Sequence, residues 1–405
     1  MDRDAAVAAG TARAMLVRAF VAQNAAIGCI YGGFGISVLP LQERFAASRG
    51  AVSLGLSLVI LATALAGLAV ASLSRRFGLR RIILLGGTMC ALGYTVLAFA
   101  PNLTIALLAF GLLVGPGVGL SGTLPAGILV SEWYPGARGR SIGLATMPVL
   151  GSLVPLAGAA LIQRGGLTAF YLGLAALHAV SLPLLAGIRE APRAGRAAGS
   201  SFIPRAMTLR RLLSQPLFWA TILGAGLLNA ISIISSAHMV GVLIERGLPT
   251  MQAALLASVM GASSIAGAVA IGWLCDRIGG AWALVAVAGG FTLAWAVIGL
   301  GAQLVAMVPA IMTIGVVGPG IFPGVSLLFT RAFGAATMPR AMAMFGMMAV
   351  PMTFVLPAVA GWVHDLAGSY HPVMTAITLA GLAVAGLFCA IGLRQPTRTG
   401  RALRP

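Results

Sequence analysis

Polar and apolar positions in this chain alternate on the scale of whole helices, not of single residues. Long apolar runs are broken by short turns rich in Gly, Arg and Pro. Twelve runs are long enough to cross about 30 Å of hydrocarbon as an α-helix. They are predicted at 17–39, 52–73, 82–100, 103–130, 141–162 and 168–188, then at 217–244, 253–275, 282–300, 304–329, 341–363 and 372–393. None shows the period-two alternation of a membrane strand, which excludes a membrane barrel. One long polar stretch, 190–215, holds Ala, Gly, Ser, Pro and Arg and reads as a linker with one surface helix. The predicted organisation is an all-α membrane protein with 12 transmembrane helices. It comprises a six-helix half at 1–188, a linker at 189–216 and a second six-helix half at 217–405.

The two halves repeat one another. Val114-Gly115-Pro116-Gly117 in span 4 recurs as Val317-Gly318-Pro319-Gly320 in span 10. Arg140 at the mouth of span 5 matches Arg340 at the mouth of span 11, and Arg75 falls where Asp276 falls. These landmarks are offset by 200 to 203 residues, which predicts pseudo-symmetric halves. Glycines at such places let helices approach closely. Pro148 and Pro155 in span 5, and Pro351 and Pro357 in span 11, are expected to bend those helices.

Composition agrees. The chain is 59% hydrophobic and 8% charged, against about 25% charged for a soluble domain, with a mean hydropathy of +1.01. Most of its surface must therefore face lipid. The net charge of +18 comes from arginine alone, since the chain has no lysine. The arginines gather between apolar runs, so they speak for orientation in a membrane and against nucleic acid. All but Arg44, Arg49, Arg164 and Arg246 fall at the termini, in the linker or in the turns that follow even-numbered spans. Both termini are thus expected to be cytoplasmic, in the inner membrane of a bacterium. No cleaved signal peptide is read at the N-terminus. Cys29, Cys90, Cys275 and Cys389 are scattered and imply neither a metal site nor a disulfide framework. No His, Asp or Glu cluster lies at membrane depth, so an enzyme is not expected, nor a cofactor.

The stretch Gly272-Trp273-Leu274-Cys275-Asp276-Arg277-Ile278-Gly279 resembles the loop signature Gly-x-x-x-Asp-Arg-x-Gly of the major facilitator superfamily. Tyr31-Gly32-Gly33-Phe34-Gly35-Ile36 followed by Leu39-Pro40 resembles the opening of its monocarboxylate-porter and oxalate/formate-antiporter branch. So do Trp133-Tyr134-Pro135 with Arg138-Gly139, and Gln215-Pro216-Leu217-Phe218-Trp219. Three departures stand out. Tyr31 replaces a carboxylate that the branch often carries in span 1. Ala268 replaces the span-8 arginine that usually anchors a substrate carboxylate. The lysine of span 11 in oxalate transporters has no counterpart here.

The resemblance implies a carrier of small molecules working by alternating access. Asp276 and Arg277, with Arg140 and Arg340, are the candidate gating residues. A carboxylate ending span 8 can pair with the positive start of span 5 and Arg140 when the cytoplasmic side is closed. Candidate substrate-binding residues are Asn24 and Tyr31, seven residues apart on one helix face, and Ser121 and Thr123, which flank Gly122. Asn229, with Ser232, Ser235 and Ser236, leads up to His238 on span 7. Met147, Phe322 and Phe354 are candidate apolar wall residues. Each polar group has a plain alternative. Ser121 and Thr123 can instead bond their own helix backbone. His238 can be a proton site or a ring held by a backbone carbonyl. The expected cargo is a small organic acid, with a proton as candidate partner and the bilayer as solvent, in a monomer. The competing expectation is an exporter of amphipathic or drug-like neutral compounds.

Overall fold

A computed structural model describes residues 3–134, 138–190, 207–301, 303–334 and 336–394. Eleven helices in it are long and apolar enough to cross a membrane. The one over Ser141–Leu185 has 45 residues, about twice what a bilayer needs at about 1.5 Å per residue. Its backbone leaves the helix at Gly165 (φ −141°, ψ 16°) and Gly166 (φ 66°, ψ −171°). Only glycine takes the second conformation without strain. Gly158 then lies against Phe170, and Gly173 against Leu161, the pairing of a hairpin turned at 165–166. Division at that turn gives twelve legs.

These are α1 (Gly10–Phe45), α2 (Arg49–Phe77), α3 (Leu79–Phe99), α4 (Leu103–Trp133), α5 (141–164) and α6 (167–185). The second series is α7 (Pro216–Glu245), α8 (Thr250–Ile278), α9 (Gly280–Gly299), α10 (Leu304–Phe333), α11 (Met338–Ala367) and α12 (His371–Arg394). In the expected linker, residues 191–206 lie outside the described residues, and a short helix, Leu209–Leu213, follows them.

The repeat seen in the sequence is also a repeat of backbone. Gly78 ends α2 at φ 82°, ψ 150°, and Gly279 ends α8 at φ 89°, ψ 163°. At the opposite face, Arg44 donates from the end of α1 to the Ala98 and Ala100 carbonyls at 3.1 and 2.9 Å, capping α3. Arg246 does the same from the end of α7, donating to the Gly299 carbonyl of α9 at 2.8 Å. A cation there meets the negative end of a helix. Two of the four arginines outside the general distribution are accounted for in this way.

Several legs are interrupted where the sequence carries Gly or Pro. α4 has a π turn at Phe110–Val114 and breaks at Gly122 (φ −82°, ψ −143°). α10 carries a tight turn at Gly318–Gly320. α5 is broken between Ala145 and Val149, where Pro148 sits at φ −86°, ψ 59°. Pro155, Pro351 and Pro357 lie inside continuous helices.

The core is apolar and continuous through both halves. Leu65, Leu68, Leu112, Val180, Leu293 and Leu379 point outward and are exposed, as lipid-facing side chains would be. The halves meet along three helix pairs, α2 with α11, α5 with α8 and α1 with α7. Small residues bring them together. A Cβ on Gly261 would lie 2.8 Å from the Gly151 carbonyl oxygen, and one on Gly35 would lie 2.5 Å from the Ser236 carbonyl oxygen. The Leu156 amide donates across the halves to Ser258 Oγ at 3.1 Å.

Candidate functional site

A cavity of about 520 Å3 lies between the halves, walled by α1, α2, α4 and α5 on one side and α7, α8, α10 and α11 on the other. No Asp, Glu, Arg or His lines it. Most of its hydroxyls already donate to their own helix backbone. Thr63 reaches the Gly115 carbonyl at 2.9 Å, Ser264 the Gly261 carbonyl at 2.6 Å, and Thr353 the Ala349 carbonyl at 3.2 Å. Ser235 donates to the Ile231 carbonyl at 2.8 Å and accepts from Trp295 Nε1 at 3.2 Å, and Ser236 donates to the Ser232 carbonyl. Four lining groups make no hydrogen bond with other described residues: the Tyr31 phenol, the Thr123 hydroxyl, the Asn229 amide and the Ser232 hydroxyl. Two come from each half. Thr123 starts the second leg of α4, just past the break at Gly122, and is exposed. Gly318, in the tight turn of α10, lies against Ser232 Oγ.

Of the residues singled out in the sequence, Tyr31, Thr123, Asn229 and Phe322 stand on this wall, and the other five do not. Asn24 is buried and braces the break in α5. Its Nδ2 donates to the Met147 carbonyl at 2.9 Å, and its Oδ1 accepts from the Leu150 amide at 3.0 Å. Met147 contributes that carbonyl, not its side chain. Ser121 is buried one residue before the Gly122 break and donates to the Gly117 carbonyl at 2.8 Å. In α11 it is Thr353 that faces the cavity, and Phe354, one helical step on, does not. Thr63, Ser232, Ser264 and Thr353 complete the polar wall. Small hydroxyls in apolar runs carry no sequence mark of which way they face.

His238 is 1% exposed and sits behind the wall. Its Nε2 is 3.0 Å from the Pro357 carbonyl and its Nδ1 is 2.9 Å from Tyr370 Oη. A carbonyl only accepts, so Nε2 carries the proton, and in the neutral ring Nδ1 accepts from the Tyr370 hydroxyl. Both ring nitrogens are thereby engaged.

The candidate gating residues lie at the face that carries both chain ends. Asp276 and Arg277 are exposed. Arg277 lies 3.9 Å above the Trp273 ring, a cation–π contact. Asp276 makes no hydrogen bond or ion pair with the described residues. The side chain of Arg140 lies outside the described residues. Arg340 donates to the Met207 carbonyl at 2.8 Å and so holds the chain leading into α7.

The opposite face is shut. Asp365, near the end of α11, accepts from the backbone amides of Arg49 and Gly50 at 3.0 and 2.8 Å, in the first turn of α2. The Trp362 indole presses on Gly50. Arg49 stacks its guanidinium 5.1 Å over the Tyr370 ring. Glu245 accepts from the Tyr370 amide at 3.0 Å. The sequence held one signal of this cluster: Arg49 stands at a face where arginine is scarce.

Comparison with known proteins follows the same lines. A family model described as the Major Facilitator Superfamily matches residues 20–357. The chain is similar to monocarboxylate transporter 13 of Bos taurus, at 30% identity over 277 residues, which cover 66% of this chain and 62% of that protein. It therefore spans less than two thirds of that relative's length. Monocarboxylate transporter 11 of Homo sapiens is 28% identical over 375 residues, covering 88% of this chain and 72% of that one. The fold is similar to the crystal structure of the nucleoside transporter NupG, with a TM-score of 0.76 and 14% identity over 94% of this chain and 99% of that chain.

Proposed function

Since the chain belongs to the Major Facilitator Superfamily, we propose that it carries a small organic acid of the monocarboxylate kind across a membrane by alternating access. The observation that carries this reading is the uncharged cavity with two free hydrogen-bonding groups from each half: Tyr31 and Thr123 facing Asn229 and Ser232. A solute gripped from both sides pulls the halves together, which couples occupancy to their relative tilt. The kinship with proteins named monocarboxylate transporters supports the solute class. The units that tilt are residues 1–188 and 217–405. The arginine-rich face that carries both chain ends is the cytoplasmic one, in the inner membrane of a bacterium.

The missing cation shapes the chemistry. Ala268 leaves α8 without the arginine of the family pattern. A bare carboxylate would lose its water here and gain no counter-charge, at a cost of several kcal/mol. The acid is better held with its proton on. Its carbonyl oxygen then accepts from the Thr123, Ser232 or Tyr31 hydroxyls, and its O–H donates to the Asn229 carbonyl oxygen.

A second reading is an exporter of amphipathic neutral compounds. The apolar part of the wall, with Ile27, Ile233, Met260, Ile314, Phe322 and Val350, favours it, and cavities of about 300–1,000 Å3 hold drug-sized ligands. Counterflow in proteoliposomes separates the two. Labelled monocarboxylates exchanging against unlabelled ones support the first reading. Exchange of neutral dyes, with no response to any carboxylate, supports the second.

A further inference from the structure

The cavity between the halves contains no carboxylate, arginine or histidine, yet the shut face beyond it gathers six titratable groups in one place. Asp365 and His364 come from α11, Glu245 and His238 from α7, and Tyr370 from the turn into α12. Arg49 alone comes from the first half, at the start of α2. Their contacts run in a chain. Asp365 accepts the amides of Arg49 and Gly50. His364 stands between two carboxylates, with Nε2 3.5 Å from Glu245 Oε2 and Nδ1 3.8 Å from Asp365 Oδ1. Its ring is 4.4 Å from that of Tyr370, which in turn reaches His238. Two buried nitrogens here have no hydrogen-bond partner, His364 Nδ1 and Arg49 Nη1.

We propose that this cluster is a proton-binding site, centred on the pair His364–Asp365, and that proton uptake there releases the latch between α11 and α2 and opens the shut face. The inference rests on the alternating-access reading above. It does not depend on which solute is carried.

The argument is electrostatic. The first half presents the Arg49 charge together with the positive start of α2, worth about half a charge. The second half presents two carboxylates with neutral imidazoles around them. A carboxylate is the only side chain here that can accept both amides at once, and it does so across the halves. One added proton weakens this contact wherever it settles. On Asp365 it removes an acceptor and turns one oxygen into a donor that faces two donors. On His364 it makes a cation inside the second half, and that cation competes with Arg49 and the α2 amides for Glu245 and Asp365. Either way the net charge that the second half turns to the first falls from about −2 to about −1. The unpartnered His364 Nδ1, beside Asp365 Oδ1, is where that proton has room to bond.

The sign follows. The carboxylate is held ionised while the face is shut, because amides and Arg49 surround it. It binds a proton more readily once the face opens. Lower pH therefore shifts the population toward the open form, and higher pH shifts it back. His238 is the fixed wall of the site, since both of its nitrogens are engaged. Glu245 holds the Tyr370 amide and keeps the turn into α12 against the cluster.

The test uses the full chain in liposomes, on a Cys389→Ser background, because the other three cysteines are buried. Spin labels at Ala46→Cys and Leu366→Cys, both at exposed positions of the shut face, report its opening by pulsed distance measurement. Between about pH 8 and about pH 5 the open-to-shut ratio should rise about tenfold, the size of one lost charge-assisted cap. Asp365→Asn should hold the face open at every pH, and Asp365→Glu should keep the pH response. A wild-type ratio that is constant with pH overturns the proposal, and this requires no variant to fold. A pH response that survives Asp365→Asn overturns the site. If neither pH, nor Asp365→Asn, nor solute moves the labels, the alternating-access reading itself fails.

Discussion

The Leu150 amide donates to the side-chain oxygen of Asn24 at 3.0 Å, across a break in the opposing helix. Pro148 interrupts α5, and two backbone groups lose their helical partners there. Asn24 satisfies both, since its Nδ2 also donates to the Met147 carbonyl. The π turn at Asn24–Gly28 belongs to the same accommodation. Asn24 is thus a brace at 1% exposure, with no surface on the cavity.

Asn24→Ala should therefore cost stability and not affinity. Two buried backbone groups would be orphaned, at about 1–3 kcal/mol each. The expected result is a clearly lower melting temperature in detergent with an unchanged apparent KM for the residual uptake. A raised KM at normal stability would put Asn24 in the binding site instead.

Ser121 and Thr123 should behave differently despite standing two residues apart. Ser121 donates to its own helix and is buried, so Ser121→Ala should leave uptake kinetics as they are. Thr123 faces the cavity with its hydroxyl free. The double change Thr123→Ala and Ser232→Ala should raise the apparent KM about tenfold, at about 0.5–1.5 kcal/mol for each hydrogen bond. Initial-rate uptake over a range of solute concentrations reads both.

That contrast shows where the sequence stops being informative. The spans, the linker, the repeat and the glycine turns were all legible, because each is written in runs of residue type. Even the hairpin at Gly165-Gly166 fell within a predicted gap between spans 5 and 6. Local breaks were not legible. The rotation at Gly122 decides that Thr123 faces the cavity and Ser121 does not. The break at Pro148 decides that Asn24 faces α5. Asp365 and Arg49 are 316 residues apart, and neither stands in a motif. Their meeting depends on how two halves dock, which no local pattern encodes.

Gly261 packs on Gly151 at the crossing of α8 and α5, with room for no side chain. Gly261→Val should wedge the halves apart. Transport should fall by more than tenfold, with the protein still present in the membrane, because overpacking of this kind costs about 1–3 kcal/mol in one docked state. Gly272, with open space around its Cβ position, is the matched control. Gly272→Ala should transport normally in the same assay.

Arg75 stands where the second half has Asp276, and both are exposed. Arg75→Asp would place a carboxylate opposite the positive start of α11, and so favour closure of the face that carries the chain ends. A cysteine at Phe322, which is 47% exposed on the cavity wall, should then react more slowly with a membrane-impermeant thiol reagent. An unchanged labelling rate would mean that this end of α2 takes no part in the gate.

The most direct measurement follows both faces at once. One label pair sits at Ala46→Cys and Leu366→Cys, and a second at Phe77→Cys and Ile278→Cys, at the exposed ends of α2 and α8. The account predicts that solute and pH move the two distances in opposite directions, one face closing as the other opens. Two distances that rise and fall together, or a single fixed value at both faces under every condition, would contradict it.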